Sequence, residues 1–222
     1  METSLFLHGS GFYMAGDNIR ALSTAKPETD LFLVLRPELA PLFLDFFQRG
    51  VFVKAQVGTT IQAFLCQDLG LDPQYVKDRI QTVFLNGKAV DDPGSAVIPD
   101  DATIALSAAM PGLLGATLRK GSYYAGMRGE ISLAGQGTVR PHEGRVLLKL
   151  FNLLPGEIGP SLLDRGVWVN PVPLRAFIEK HLPRLVKGCI RAEACGRVVE
   201  VEGLAKKQWP AGKEVFLRVQ AE

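Results

Sequence analysis

The sequence predicts an α+β fold, and three local patterns carry that expectation. Val51 to Val57 (VFVKAQV) alternates and is rich in β-branched residues, the signature of a half-buried strand. Ile61, Phe64, Leu65 and Leu69 then recur at helical spacing, which turns one apolar stripe toward a core. Asn86-Gly87 follows the short apolar run Thr82 to Leu85, and both residues tolerate the positive φ that a tight hairpin requires.

The other elements come in chain order. Residues 1–30 are mixed, with a short strand candidate at Leu5-Phe6-Leu7. Asp30 to Arg36 (DLFLVLR) is apolar and closed by a proline, so it reads as a strand. Pro37-Glu38 opens a helical pattern in which Leu39, Leu42, Phe43, Phe46 and Phe47 share a face, and Gly50 stops it. Gly58-Thr59-Thr60 supplies a turn and a cap for a helix ending at Gly70, and Asp72-Pro73 starts a second, short one. After the hairpin come a brief strand at Ala96 to Ile98, a turn at Pro99-Asp100-Asp101 and a strand at Thr103 to Ser107. Met110-Pro111-Gly112 reads as a boundary. Beyond it, Leu113 to Arg128 is glycine-spotted and weakly helical. The remainder is β-rich, with strands expected at Glu130 to Leu133, Arg145 to Phe151, Val167 to Val169, Arg197 to Glu202 and Glu214 to Val219. One helix, Pro173 to about His181, interrupts it. The expected division is therefore residues 1–50, a strand and helix packed on the next domain, then 51–112, then 113–222.

A chain of 222 residues can bury a core as one domain or two. An apolar content of 47% with 22% charged residues excludes a disordered chain, and a net charge of +2 argues against a general nucleic-acid binder. The cysteines, Cys66, Cys189 and Cys195, form no Cys-x-x-Cys pair, so reduced structural thiols are expected rather than a disulfide framework or a zinc site. The Leu5-Phe6-Leu7 run lacks the basic flank of a signal peptide. Ala102 to Leu118 is uncharged, but Pro111, Gly112 and Gly115 interrupt it, and a spanning helix needs about 20 apolar residues. These features predict a soluble, cytoplasmic protein with no membrane segment.

Three stretches, VFVKAQVGTTIQAFLCQDLGL, VFLNGKAVDD and VIPDDATIALSAAMPG, together resemble a β-grasp domain. The resemblance is to the small sulfur-carrier proteins of thiamin and molybdopterin synthesis and to related ubiquitin-like modules. It covers residues 51–112. It rests on a strand ending in Gly-Thr-Thr before a helix, a strand ending in Asn86-Gly87, and a Pro-Asp-Asp turn into a final apolar strand. It implies a mixed sheet with a helix packed across it, here fused to a β-rich C-terminal domain with one helix. The first strand of such a grasp is not directly before Val51; Leu31–Leu35 could take that place only with the helix at 38–49 as an insertion. The carriers also end in a free Gly-Gly carboxylate, whereas Gly112 is followed by Leu113 and the whole C-terminal half. The resemblance thus implies a fold more than a job, and apolar Leu113, Leu114 and Leu118 after Gly112 predict a chain that works uncleaved, since linkers are usually polar and exposed.

Residues with chemical potential are few. Leu5 to Gly11, with His8 and Ser10, looks like the strand and oxyanion loop of an α/β-hydrolase, but no Gly-x-Ser-x-Gly pentapeptide accompanies it. His142 and His181 stand alone, without a ligand-type neighbour at metal spacing, and His181 is expected near a helix C-terminus. Asp91-Asp92 and Asp100-Asp101 fall in turns beside proline. The most suggestive segment is Leu118 to Arg128, where Arg119, Lys120, Tyr123, Tyr124 and Arg128 interleave cations with aromatic rings and no acid intervenes. That combination suits phosphate contact with ring stacking, although its glycines match neither a P-loop nor a dinucleotide fingerprint. The bland alternative is a connecting helix with packed tyrosines and solvated cations.

The function expected is a binding or protein-interaction module acting on a protein partner. The alternatives are an enzyme of small-molecule or cofactor metabolism with a site between the two halves, and a nucleotide- or nucleic-acid-binding protein using residues 118–128. No catalytic signature and no cofactor motif is present to choose an enzyme class.

Overall fold

A computed structural model describes residues 29–108, 140–210 and 212–222. His8, Ser10, the Met110-Pro111-Gly112 boundary, the strand expected at Glu130 to Leu133 and the whole 118–128 segment lie outside them.

The first elements are β1 (Asp30–Leu35), a 3-10 helix (Pro37–Leu44) running into α1 (Asp45–Arg49), and β2 (Val51–Val57). Next come α2 (Ile61–Ala63), which widens into a π-helix (Phe64–Asp68), α3 (Pro73–Arg79), β3 (Thr82–Leu85), β4 (Lys88–Ala89) and β5 (Thr103–Ser107). The C-terminal part holds β6 (His142–Phe151), α4 (Leu154–Arg165), β7 (Val167–Val169), α5 (Pro171–Gly188), β8 (Cys189–Ala194), β9 (Arg197–Val198), α6 (Val201–Lys206) and β10 (Val215–Ala221). All of these strands join one mixed sheet in the order β4-β3-β5-β6-β2-β7-β10-β1-β8-β9, so the fold is α+β.

Local chemistry explains most of these elements. Asn86 and Gly87 both take positive φ, 51° and 79°, and join β3 to β4 as a hairpin. The Thr60 side chain accepts the Ala63 N–H, and Asp72 caps α3 through the N–H groups of Gln74 and Tyr75. The helix expected from Pro37 begins as a tighter 3-10 coil with Pro41 inside it, where the proline ring crowds the preceding turn of an α-helix. Ala96 to Ile98 makes only a single bridge, Val97 to Thr60, instead of a strand.

The C-terminal half departs further from expectation: its described residues form three helices, not one. The strand expected over Arg197 to Glu202 ends at Val198, and Val201 already belongs to α6. The helix expected to end near His181 continues to Gly188 through Pro183. Helix α4 is masked in the sequence by Pro155, Gly156, Gly159 and Pro160. Its Gly159 has a tertiary reason, since a Cβ there would lie 2.7 Å from Leu44 Cδ2 and 3.0 Å from Phe47 Cε2.

Strand β5, before residue 112, and β6, after it, are parallel neighbours, with Ile104 opposite Leu148. β6 also pairs antiparallel with β2 along the whole of β2, from Val51–Leu148 to Val57–His142. Leu31–Leu35 is not beside β2; it lies between β10 and β8. One continuous core runs beneath the sheet, with Phe43, Phe47, Ile61, Phe64, Leu85, Ile104, Leu148 and Leu217 fully buried. The Ile61, Phe64, Leu65 and Leu69 stripe is buried as its spacing requires.

Candidate functional site

The sheet opens where β2 meets β7. These strands pair at a single position, Phe52 with Trp168, although β2 continues for five more residues. Continuation of β7 would place residues 166 and 164 opposite Lys54 and Gln56, but α4 ends there at Arg165, and Gly166 turns the chain with φ +100°. A seam groove of about 720 Å³ results, lined by Val53 to Gln56, Gln67 to Leu69, Glu143 to Arg145, Arg165, Trp168 and Phe216, among others. Ligand sites commonly measure about 300–1,000 Å³.

The π-helix sets the chemistry at one wall. Its wide turn, with the Leu69 N–H donating to the Phe64 carbonyl at 2.9 Å, delivers Asp68 to the exposed side of β2. There the carboxylate accepts the Gln56 main-chain N–H at 2.8 Å. Burial pushes the Asp68 pKa up, and the Gln56 bond only partly opposes it. Arg165 does not neutralise this acid: its guanidinium donates to the main-chain carbonyls of Asp68, at 3.3 Å, and Leu69, at 2.7 Å. The end of α4 is thereby tied to the end of the π-helix.

Aromatic rings and a second arginine form the other wall. Trp168 and Phe216 meet with ring centroids 4.7 Å apart. The Arg145 guanidinium stands 5.4 Å from the Trp168 ring and 5.7 Å from Phe52, and it pairs with Glu214 at 3.3 Å. The groove therefore combines an aromatic surface, a strand edge, and a half-buried carboxyl held, among the described residues, by a backbone N–H and no cation.

The remaining polar features are structural. A second cavity, about 450 Å³, lies at the start of α5 beside Trp209 and Arg175. It makes a poor anion site, because Pro171 and Pro173 have no N–H and the Val172 N–H is already taken by Asn170. His181 sits mid-helix, not at a C-terminus; burial, then Lys180 and Arg184, hold its pKa down. His142 lies at the exposed start of β6, its Nε2 2.9 Å from Asp100. Tyr75 and Arg79 of α3 both donate to Glu157 of α4, clamping two helices together. The three cysteines are free thiols. Among the described residues, no group of three or more His, Cys, Asp or Glu is placed to hold a metal ion, and no helix is long and apolar enough to cross a membrane.

None of the residues singled out from sequence, Arg119, Lys120, Tyr123, Tyr124 and Arg128, falls among those described. Sequence reasoning missed Asp68, Arg145, Arg165 and Trp168 because they are far apart in the chain and belong to no motif. No protein-family model matches the chain, and neither a curated protein nor a solved structure does.

Proposed function

We propose that the protein is a binding module whose partner lodges in the seam groove, on a scaffold whose first half is a rearranged β-grasp. The strand order β2-β6-β5-β3-β4 supports the scaffold reading. An antiparallel pair, β6 and β2, is joined by a helix and by β3, β4 and β5, with β5 parallel to β6 in the centre. On this reading β6, from much later in the chain, takes the place of the first strand missing before Val51. The observation that carries the binding reading is the parting of β2 from β7, which opens a strand edge and the Asp68 carboxyl onto a groove of ligand size. Clefts of this kind are the usual place for a ligand.

Photo-crosslinking tests this. Replacing Lys54, on the groove wall, with p-benzoylphenylalanine in the native host should yield a discrete adduct identifiable by mass spectrometry. The same replacement at Gln74, on the exposed flank of α3, should not. Absence of an adduct at Lys54, or equal labelling at both positions, would remove the groove as the binding site.

A further inference from the structure

We propose that the seam groove accepts an extended peptide of a partner protein as an added strand on β2, with a basic side chain of that peptide reaching Asp68. This deepens the groove-binding reading and rests on it.

The main chain of β2 supplies the first part. In an antiparallel strand, successive residues direct their N–H and C=O to opposite neighbours. Val51, Val53, Ala55 and Val57 stand opposite Leu148, Val146, Gly144 and His142 and bond toward β6, whereas Phe52 meets Trp168 and the Gln56 N–H meets Asp68 on the other side. Lys54 lies between these two and shares their direction, so its N–H and C=O point into the groove. Among the described residues, no strand pairs with β2 on that side at Lys54. A donor and an acceptor spaced as on a sheet edge suit an extended backbone better than a compact metabolite.

Asp68 gives the register and the charge. By holding the Gln56 N–H it already stands where the carbonyl of an added strand would bond, and so it limits pairing to the Lys54 position. The nearby arginines are engaged elsewhere: Arg145 with Glu214 and two rings, Arg165 with two carbonyls. A half-buried carboxyl in this setting is matched by a Lys or Arg side chain, since a charge-assisted bond there offsets the cost of its burial.

The test uses the full chain and a displayed library of random heptapeptides. Enriched peptides should share a Lys or Arg at one position, and the tightest of them should slow hydrogen exchange at the Lys54 amide. Asp68→Asn, which can still accept the Gln56 N–H, should weaken that peptide by about tenfold. N-methylation of the peptide residue opposite Lys54 should abolish binding. Enrichment without a basic position, or binding that leaves Lys54 exchange and the N-methyl variant unaffected, overturns the proposal. If no peptide is enriched while crosslinking from Lys54 still captures a partner, strand addition fails and the groove reading survives. If neither succeeds, both fail.

Discussion

The Asp68 carboxylate accepts the Gln56 main-chain N–H at 2.8 Å, so a side chain from the π-helix occupies a place on β2 that a neighbouring strand would otherwise take. Exposed strand edges invite unwanted pairing, and a carboxylate aimed at the edge restricts it. The same bond joins the helix to the sheet beside the seam that a single pair, Phe52 with Trp168, holds closed.

Removing that acceptor should be costly and neutralising it should not. Asp68→Ala leaves the Gln56 N–H without its partner and should destabilise the protein by about 1–3 kcal/mol in urea unfolding. Asp68→Asn keeps an acceptor oxygen. Because burial raises the folded pKa of Asp68, the folded state holds this proton more tightly than the unfolded chain does. Its contribution is therefore most favourable below the unfolded value and declines as pH rises through the raised folded one. Asp68→Asn should abolish that decline, so the stability difference between variant and wild type should move in the variant's favour across the window. A difference independent of pH would contradict the assignment.

Phe64 is fully buried under the sheet at the start of the π-helix. Phe64→Ala should cost about 3–5 kcal/mol, measured by chemical denaturation. A loss below about 1 kcal/mol would mean that the site collapses around the truncation, or that the ring does not pack as described.

His142 is exposed, and its pKa is raised first by the hydrogen bond with the Arg140 carbonyl and then by Asp100. Its contribution to stability is present below the unfolded pKa and is lost as pH rises through the folded one. Asp100→Asn should lower the His142 pKa without returning it fully to the ordinary value, since the carbonyl contact remains. An NMR titration of the imidazole reads this directly, and an unchanged midpoint would remove Asp100 as a cause.

The strand arrangement predicts the outcome of cutting and rejoining. Residues 51–112 alone lack β6, which lies between β2 and β5 with Val146, Leu148 and Leu150 fully buried, and should show no cooperative unfolding. The end of β6 lies close to the start of β2, as the Val51–Leu148 pairing shows. A chain of residues 140–152 joined by a short glycine-serine linker to residues 51–108 should therefore fold cooperatively. Equal behaviour of the two fragments would show that β6 is not needed to close this half.

Local patterns made several strands legible. β2, β3, β5 and β10 were readable because alternation or a short apolar run sits between turn residues, and Asn86-Gly87 could hardly be anything but a hairpin. Helix α4 was not legible, because Gly159 reads locally as a breaker while its purpose is close contact with Leu44 and Phe47. β8 alternates weakly, its buried positions being only Ala192 and Ala194. The groove was illegible for a different reason: Asp68 and Arg165 meet across 97 positions of sequence, and the π-turn that aims Asp68 leaves no compositional trace.

The position of β6 also has a consequence for synthesis. A ribosome releases β2, β3 and β5 well before His142 to Phe151, so the nascent chain carries two strands destined to flank a missing third. Until it arrives, the facing edges of β2 and β5 are open and their apolar side chains lack a cover. During that interval the unpaired edges and uncovered apolar side chains leave the chain prone to aggregation. Slowing translation just after codon 142, with β6 not yet emerged, should lengthen this exposure, whereas slowing it once residue 151 has cleared the ribosome should leave this half of the sheet time to close.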